Sequence, residues 1–383
     1  MIRRVGLVIL AIAVVAVAGY AGATWLARGY RAPGPAEAAI RVEVQPGSTV
    51  RGVLKHLAAA RALAHPRLTE LYLRLHGRHF SIKAGEYEVP PHASAADVVT
   101  LLAEGRVVLE QLTVVEGATY QDFRRELESD PHVKANLRGA SDEAVMAAIG
   151  HADEQPEGRF FPSTYRFASG TTETELLKMA YDKMSDVLAA AWAQRAQDLP
   201  FATPYQALVL ASIIEKETGL ASERPLIAGV FVERLKKGMR LQSDPTVIYG
   251  MGAEYTGTIR TRDLTTDTPY NTYTRAGLPP TPISLPGRES ILATVRPNDT
   301  GNLYFVATGD GDGAHHFSTT LADHDAAVRH YLVRLREQGL LPSKSAGHAE
   351  SPTDSMPDHR SAGGHGVRTR ARARERLGAG ESQ

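Results

Sequence analysis

The pattern of apolar and polar positions divides the chain into unlike stretches. The first, Val5–Ala27, runs 23 residues without a charge. As a helix rising 1.5 Å per residue it spans about 35 Å, enough to cross a hydrocarbon core of about 30 Å. Arg3 and Arg4 precede it, and Arg28 and Arg31 follow it. Tyr20, Trp25 and Tyr30 gather at its far end, where an aromatic belt would sit. The pattern predicts one membrane-spanning anchor over 1–31, with the rest of the chain exported. Ala21-Gly22-Ala23 also fits a small-x-small cleavage site, so a cleaved signal peptide is the alternative. The apolar run exceeds the usual core of about 7–15 residues in such a peptide, which favours the retained anchor.

From 32 to 150 the pattern is that of short strand–helix units. Ile40–Val44 alternates apolar and polar residues, the period of a half-buried strand. Pro46-Gly47-Ser48 turns the chain, and Ser48 or Thr49 caps a helix through Leu63. A second helix is expected near Pro66–Leu75, then a strand at Gly85–Val89. Ser94 caps the next helix, Val107–Val115 is a longer strand, and Thr119 caps the helix after it. A weak repeat at an offset of 70 relates Val44, Gly47, Thr49, Val53 and Leu57 to Val114, Gly117, Thr119, Phe123 and Leu127. The shared pattern is strand, glycine turn, hydroxyl cap and helix, which any such turn also demands.

The stretch 151–342 opens with Glu157-Gly158-Arg159-Phe160-Phe161-Pro162-Ser163-Thr164-Tyr165, read as a packed loop at a domain boundary. Thr203-Pro204-Tyr205-Gln206 is a helix start: N-cap, proline in the first turn and a capping-box glutamine. From Ala207 to Ile214 only Ser212 is polar, so this helix is apolar on all sides and should be buried. A second helix follows with Pro225 in its first turn, and Gly238 stops it. The stretch around Gln242, Ser243, Asp244 and Tyr249 reads as irregular and polar, as does Thr268–Thr274. A strand at Leu303–Ala307, a Gly/Asp hairpin at Gly309–Gly313 and a helix from Ala322 to Gln338 close the body. From Ser343 the chain turns to Ser, Gly, Ala, Pro, His and Arg without an aromatic residue, so the tail 343–383 is expected to be disordered.

Composition narrows the chemistry. There is no cysteine among the 383 residues, which excludes a disulfide scaffold, a thiol nucleophile and a cysteine-ligated metal. Lys+Arg and Asp+Glu are equal at 43 each, which argues against bulk electrostatic binding of nucleic acid. Adjacent His315 and His316 on a strand point to opposite faces and do not make a shared metal site. Neither a metal nor a cofactor is expected.

Glu215 arrives directly after the apolar run, with Leu208, Ala211 and Ser212 on its face of the helix. Apolar surroundings and the negative end of the helix both disfavour ionisation, which suits a general acid. The alternative is a structural pair with a buried arginine, for which Arg224, Arg234 and Arg240 qualify. At this level the two readings stay open.

Several separated motifs in order give a resemblance. They are LASIIEKET (Leu210–Thr218), the SERP and VFVERLKKGMRLQSDPTVIYGMG run, PYNTY with GLPP (Pro269–Pro280), LYFVATG, and His315–Phe317. Together these resemble the endolytic murein transglycosylases, the YceG-like family. Thr281 and Leu285 depart from the family's usual loop.

The resemblance implies an α+β chain: a transmembrane helix (1–31), a small LysM-like strand–helix region (32–150), a mixed α/β catalytic domain (151–342) and the tail. It implies a lyase that cuts MurNAc–GlcNAc bonds of nascent peptidoglycan and leaves 1,6-anhydro ends. Its setting would be the inner membrane, single-pass, with the body in the periplasm beside peptidoglycan synthases. Glu215 would be the catalytic residue. Ser212, Glu217, Gln242, Ser243, Asp244, Tyr249, Asn271 and Tyr273 are candidates to support it or bind sugar. Two alternatives stand beside this one: a hydrolase with Asp244 or Glu223 as second carboxylate, and a non-enzymatic wall-binding module.

Overall fold

The computed structural model describes residues 2–45, 47–77 and 81–340. The expected tail lies outside them. The chain forms two compact units. The first takes Met1–Leu112, Asp130–Lys134 and Tyr165–Thr172; the second takes Thr113–Ser129, Ala135–Thr164 and the chain from Glu173 on.

In the first unit, helix α1 (Ile2–Arg31) is followed by strand β1 (Ile40–Val44), helices α2 (Val50–Ala59) and α3 (Pro66–Leu75), strand β2 (Gly85–Val89), helix α4 (Ala95–Glu104) and strand β3 (Leu109–Thr113). β1 pairs antiparallel with β2, with Val42 opposite Tyr87 and Val44 opposite Gly85. The alternation in β1 is the expected one: Val42 and Val44 are buried, Arg41 and Glu43 exposed. They share a core with Val53, Leu54, Leu57, Leu73, Val98 and Leu102 of the helices. Thr49 caps α2, accepting from Gly52 N–H, and α2 stops at Ala59, short of Leu63. Ser94 and Asp97 form a full capping box on α4. Only the last turn of α1 joins the core, where Leu26 and Tyr30 are buried and Tyr30 stacks on Tyr72 at 3.8 Å. Leu10, Val14, Val17 and Trp25 stay exposed. β3 pairs with β4 (Thr164–Ala168), so the boundary loop expected here ends in a strand.

The second unit holds helices α5 (Tyr120–Ser129), α6 (Asp142–Ala148), α7 (Glu173–Trp192), α8 (Pro204–Glu217), α9 (Arg224–Lys236), α10 (Asp244–Met251), α11 (Thr261–Thr265) and α12 (Arg288–Val295). Strands β5 (Tyr304–Ala307) and β6 (His315–Ser318) form an antiparallel hairpin, and α13 (Leu321–Glu337) follows. α8 is the centre of the core: every residue from Ala207 to Ile214 is buried, Ser212 included. α7 and α12, which go beyond the sequence expectation, pack on it with α9. The Thr203–Gln206 capping box forms as expected.

One expectation is corrected. The stretch containing Asp244 and Tyr249 is not irregular; it is α10. Pro245 lies in the first turn, where its missing N–H would have no helical partner and its fixed φ suits the helix.

Candidate functional site

Glu215 occupies the last turn of α8, with its side chain only 5% exposed. Of the three arginines named from the sequence, Arg224 is the one that pairs with it. Arg224, in the first turn of α9, donates from Nη2 to Glu215 Oε1 at 3.2 Å. The other oxygen, Oε2, accepts from Gly287 N–H at 2.9 Å and Ser290 Oγ at 2.7 Å. Gly287 is the N-cap of α12, so the carboxylate meets the positive end of that helix. The end of one helix and the starts of two others therefore converge on one carboxyl group.

Ser212 explains how this is held. Its Oγ donates to Val209 O, its own turn, and accepts from Ile283 N–H at 2.9 Å. Ser284 Oγ donates to Ser212 O at 3.0 Å. These bonds fix the loop that delivers Gly287 to Glu215. Ser212 is fully buried and works inside the protein.

Glu217, Ser243, Asp244 and Tyr273 form a second polar network. Ser243 Oγ donates to Glu217 Oε1 at 2.5 Å, and Tyr273 Oη donates to Asp244 Oδ1 at 2.5 Å. Burial, reinforced by Asp244 and opposed by the Ser243 bond and Arg234, pushes Glu217 up to about 8. Burial likewise raises Asp244 above the ordinary aspartate value, against the Tyr273 bond. Asn271 is a loop organiser: its Nδ2 donates to the carbonyls of Asp263, Leu264 and Thr266, and its Oδ1 accepts from Tyr273 N–H. Gln242 holds a left-handed backbone, φ 52°, which a non-glycine residue adopts at a cost and which is enriched at functional positions.

Tyr249 points to a residue the sequence reading passed over. Its Oη donates to Glu157 Oε2 at 3.0 Å, while Glu157 Oε1 accepts from Tyr120 N–H at 3.0 Å. Burial pushes Glu157 up to about 7 despite these bonds. Glu223, one of the two hydrolase candidates, gives both oxygens to His315, through its N–H at 2.8 Å and Nδ1 at 2.7 Å.

Glu116 is the other residue missed. It lies in the glycine turn before α5, and its Oε2 is 3.7 Å from the same Arg224 nitrogen that holds Glu215. The repeat signalled this turn: Gly47 and Gly117 share a positive φ, 76° and 78°, and Thr49 and Thr119 both cap. It did not signal that the second copy carries a carboxylate to Glu215. Among the described residues no group of three or more His, Asp or Glu side chains is disposed to hold a metal ion.

Glu215 is thus a buried carboxylate bracketed by an arginine, a helix N-terminus and a hydroxyl on an α+β scaffold. The chain belongs to the YceG-like family, whose profile matches residues 42–330. It is 27% identical over 316 residues to a Bacillus subtilis protein named endolytic murein transglycosylase, spanning 78% of this chain and 86% of that one. It is also 27% identical over 330 residues to a protein of the same name from Streptococcus pneumoniae, spanning 76% of this chain but 58% of the relative. A crystal structure of a putative YceG-like protein from Listeria monocytogenes aligns over 76% of this chain and 99% of its own, at 26% identity and a TM-score of 0.46.

Proposed function

We propose that this chain is a membrane-anchored endolytic transglycosylase that cuts MurNAc–GlcNAc bonds in peptidoglycan glycan strands. The observation that carries the reading is Glu215: one carboxyl group at the end of a buried helix, oriented by Arg224, Gly287 and Ser290, inside the region that matches the family.

The chemistry needs only that one group. Glu215 gives its proton to the glycosidic oxygen as the bond to the muramyl anomeric carbon breaks. The carboxylate then takes the proton of the muramyl C6 hydroxyl, whose oxygen closes on the anomeric carbon. No water is consumed, so the two products together have the mass of the substrate. A hydrolase would need a second carboxylate to activate water. Asp244 already accepts from Tyr273 and Glu223 from His315, which supports the single-carboxylate route. Gln242, with its left-handed backbone, and Tyr249 are kept as candidates to contact the sugar. The apolar α1 supports an anchor in the inner membrane with the body in the periplasm, close to newly made strands and their synthases. The β1–α4 region is read as LysM-like and wall-binding.

The test is mass spectrometry of muropeptides released from purified glycan strands. New ends lighter by one water than ordinary reducing ends are expected. Ordinary reducing ends would replace this reading with hydrolysis, and uncut strands would leave a binding module.

A further inference from the structure

We propose that Glu116 is a positioning residue of this site, competing with Glu215 for the guanidinium of Arg224 and so keeping Glu215 fit to donate a proton. The inference rests on the transglycosylase reading above.

Three observations carry it. The first is the shared donor. Arg224 Nη2 lies 3.2 Å from Glu215 Oε1 and 3.7 Å from Glu116 Oε2. Neither contact is the two-pronged pair that locks an arginine to one carboxylate. Arg224 Nε is buried without a hydrogen-bond partner among the described residues. The guanidinium is thus held by neither acid alone.

The second is the fit of the Glu116 turn against the Glu215 turn. Gly117 N–H donates to Leu285 O at 2.9 Å, and Leu285 N–H donates to Ala118 O at 2.7 Å. A Cβ on Gly117 would stand 3.7 Å from Glu215 Cγ, and Lys216 Nζ donates to Gly117 O at 3.1 Å. The turn is fastened at the two residues that directly follow Glu116.

The third is Gly287. A Cβ there would lie 2.1 Å from Glu116 Oε1 and 2.3 Å from its Cδ. The Glu116 carboxyl rests on the bare Cα of the residue whose N–H binds Glu215. Gly287 has φ −75° and ψ 171°, which any residue adopts. Its lack of a side chain is therefore needed for space rather than for backbone conformation.

The consequence is electrostatic. Arg224 Nη2 is the donor that holds Glu215 Oε1, 3.2 Å away. A second carboxylate on the same nitrogen weakens that hold. The charged groups acting on Glu116 are Glu215 on α8, Arg224 on α9 and Glu289 on α12, while Lys216 on α8 binds the carbonyl of the next residue, Gly117. Partial burial, then Glu215 and Glu289 against Arg224, raises Glu116 itself above the ordinary glutamate value.

The experiment is the pH–rate profile of the full chain in detergent on purified glycan strands, for wild type, Glu116→Gln and Gly287→Ala. Gly287→Ala keeps the charge and the N–H to Glu215 but displaces the Glu116 carboxyl. In both variants the alkaline limb of kcat should move to lower pH, with KM unchanged. The inference is overturned if both profiles superimpose on wild type, if kcat falls equally at every pH, or if only KM rises. Should Glu116→Gln fail to fold, Gly287→Ala decides alone. A wild-type chain that cuts no strand at any pH overturns the transglycosylase reading instead.

Discussion

Glu215 has both oxygens engaged by protein donors, so its replacement is read for fold as well as for chemistry, with a thermal melt beside the assay. Glu215→Gln keeps the shape of the group and removes the transferable proton. Glycan cleavage should fall by about 10²–10⁴-fold, the usual contribution of a general acid, with binding retained; product quantification on purified strands checks both. Undiminished cleavage would remove Glu215 from the mechanism. Glu157 makes a different prediction. Its folded-state value of about 7 lies above the ordinary 4.5, so the folded chain holds more protons than the unfolded one between those values. Its contribution to stability is full below about 4.5 and is lost as pH rises through about 7. Glu157→Gln should flatten that part of the stability curve, measured by urea unfolding across pH 4–8. The position of Glu215 was legible because a carboxylate after eight buried positions stands out. Arg224 was one of three candidate arginines, but Gly287 and Ser290 were not legible, since they lie 72 and 75 residues further on.

The elements owe their starts to local chemistry and their placement to contacts far apart in sequence. Thr49, Ser94, Thr119 and Thr203 all cap as their spacing predicts, because a cap involves residues only three apart. α10 was hidden because a polar stretch with a proline resembles a turn until its burial is seen. Helix packing depends on positions that periodicity does not mark. On α9, a Cβ at Gly229 would lie 2.0 Å from Asn298 O, a backbone atom held by Asn298 N–H donating to Pro225 O at 2.9 Å. Gly229→Ala should therefore destabilise the chain by about 1–3 kcal/mol through overpacking. A thermal unfolding midpoint equal to wild type would show that the loop gives way freely.

Across the whole molecule, the apolar helix and the folded body have separable roles that meet at the end of α1. Leu26 and Tyr30 belong to the core of the first unit, while Val14, Val17 and Tyr20 are exposed. A chain starting at Thr24 should leave the membrane fraction and unfold at the wild-type temperature. One starting at Ala32 should unfold at a lower temperature, since it also loses two buried side chains worth about 1.5–3 kcal/mol each. Fractionation and thermal melts distinguish these outcomes, and a Thr24 chain that stays in the membrane would refute the anchor. Sequence alone determined the apolar span, the capped helix starts, the all-round burial of α8 and the acid at its end, because each depends on residues within one or two turns. Only the tertiary structure decided that Arg224 is the partner, that the N-terminus of α12 supplies two donors, and that Glu116 shares the arginine. Those contacts join residues up to a hundred or so positions apart, and packing alone sets which distant side chains arrive at one carboxylate.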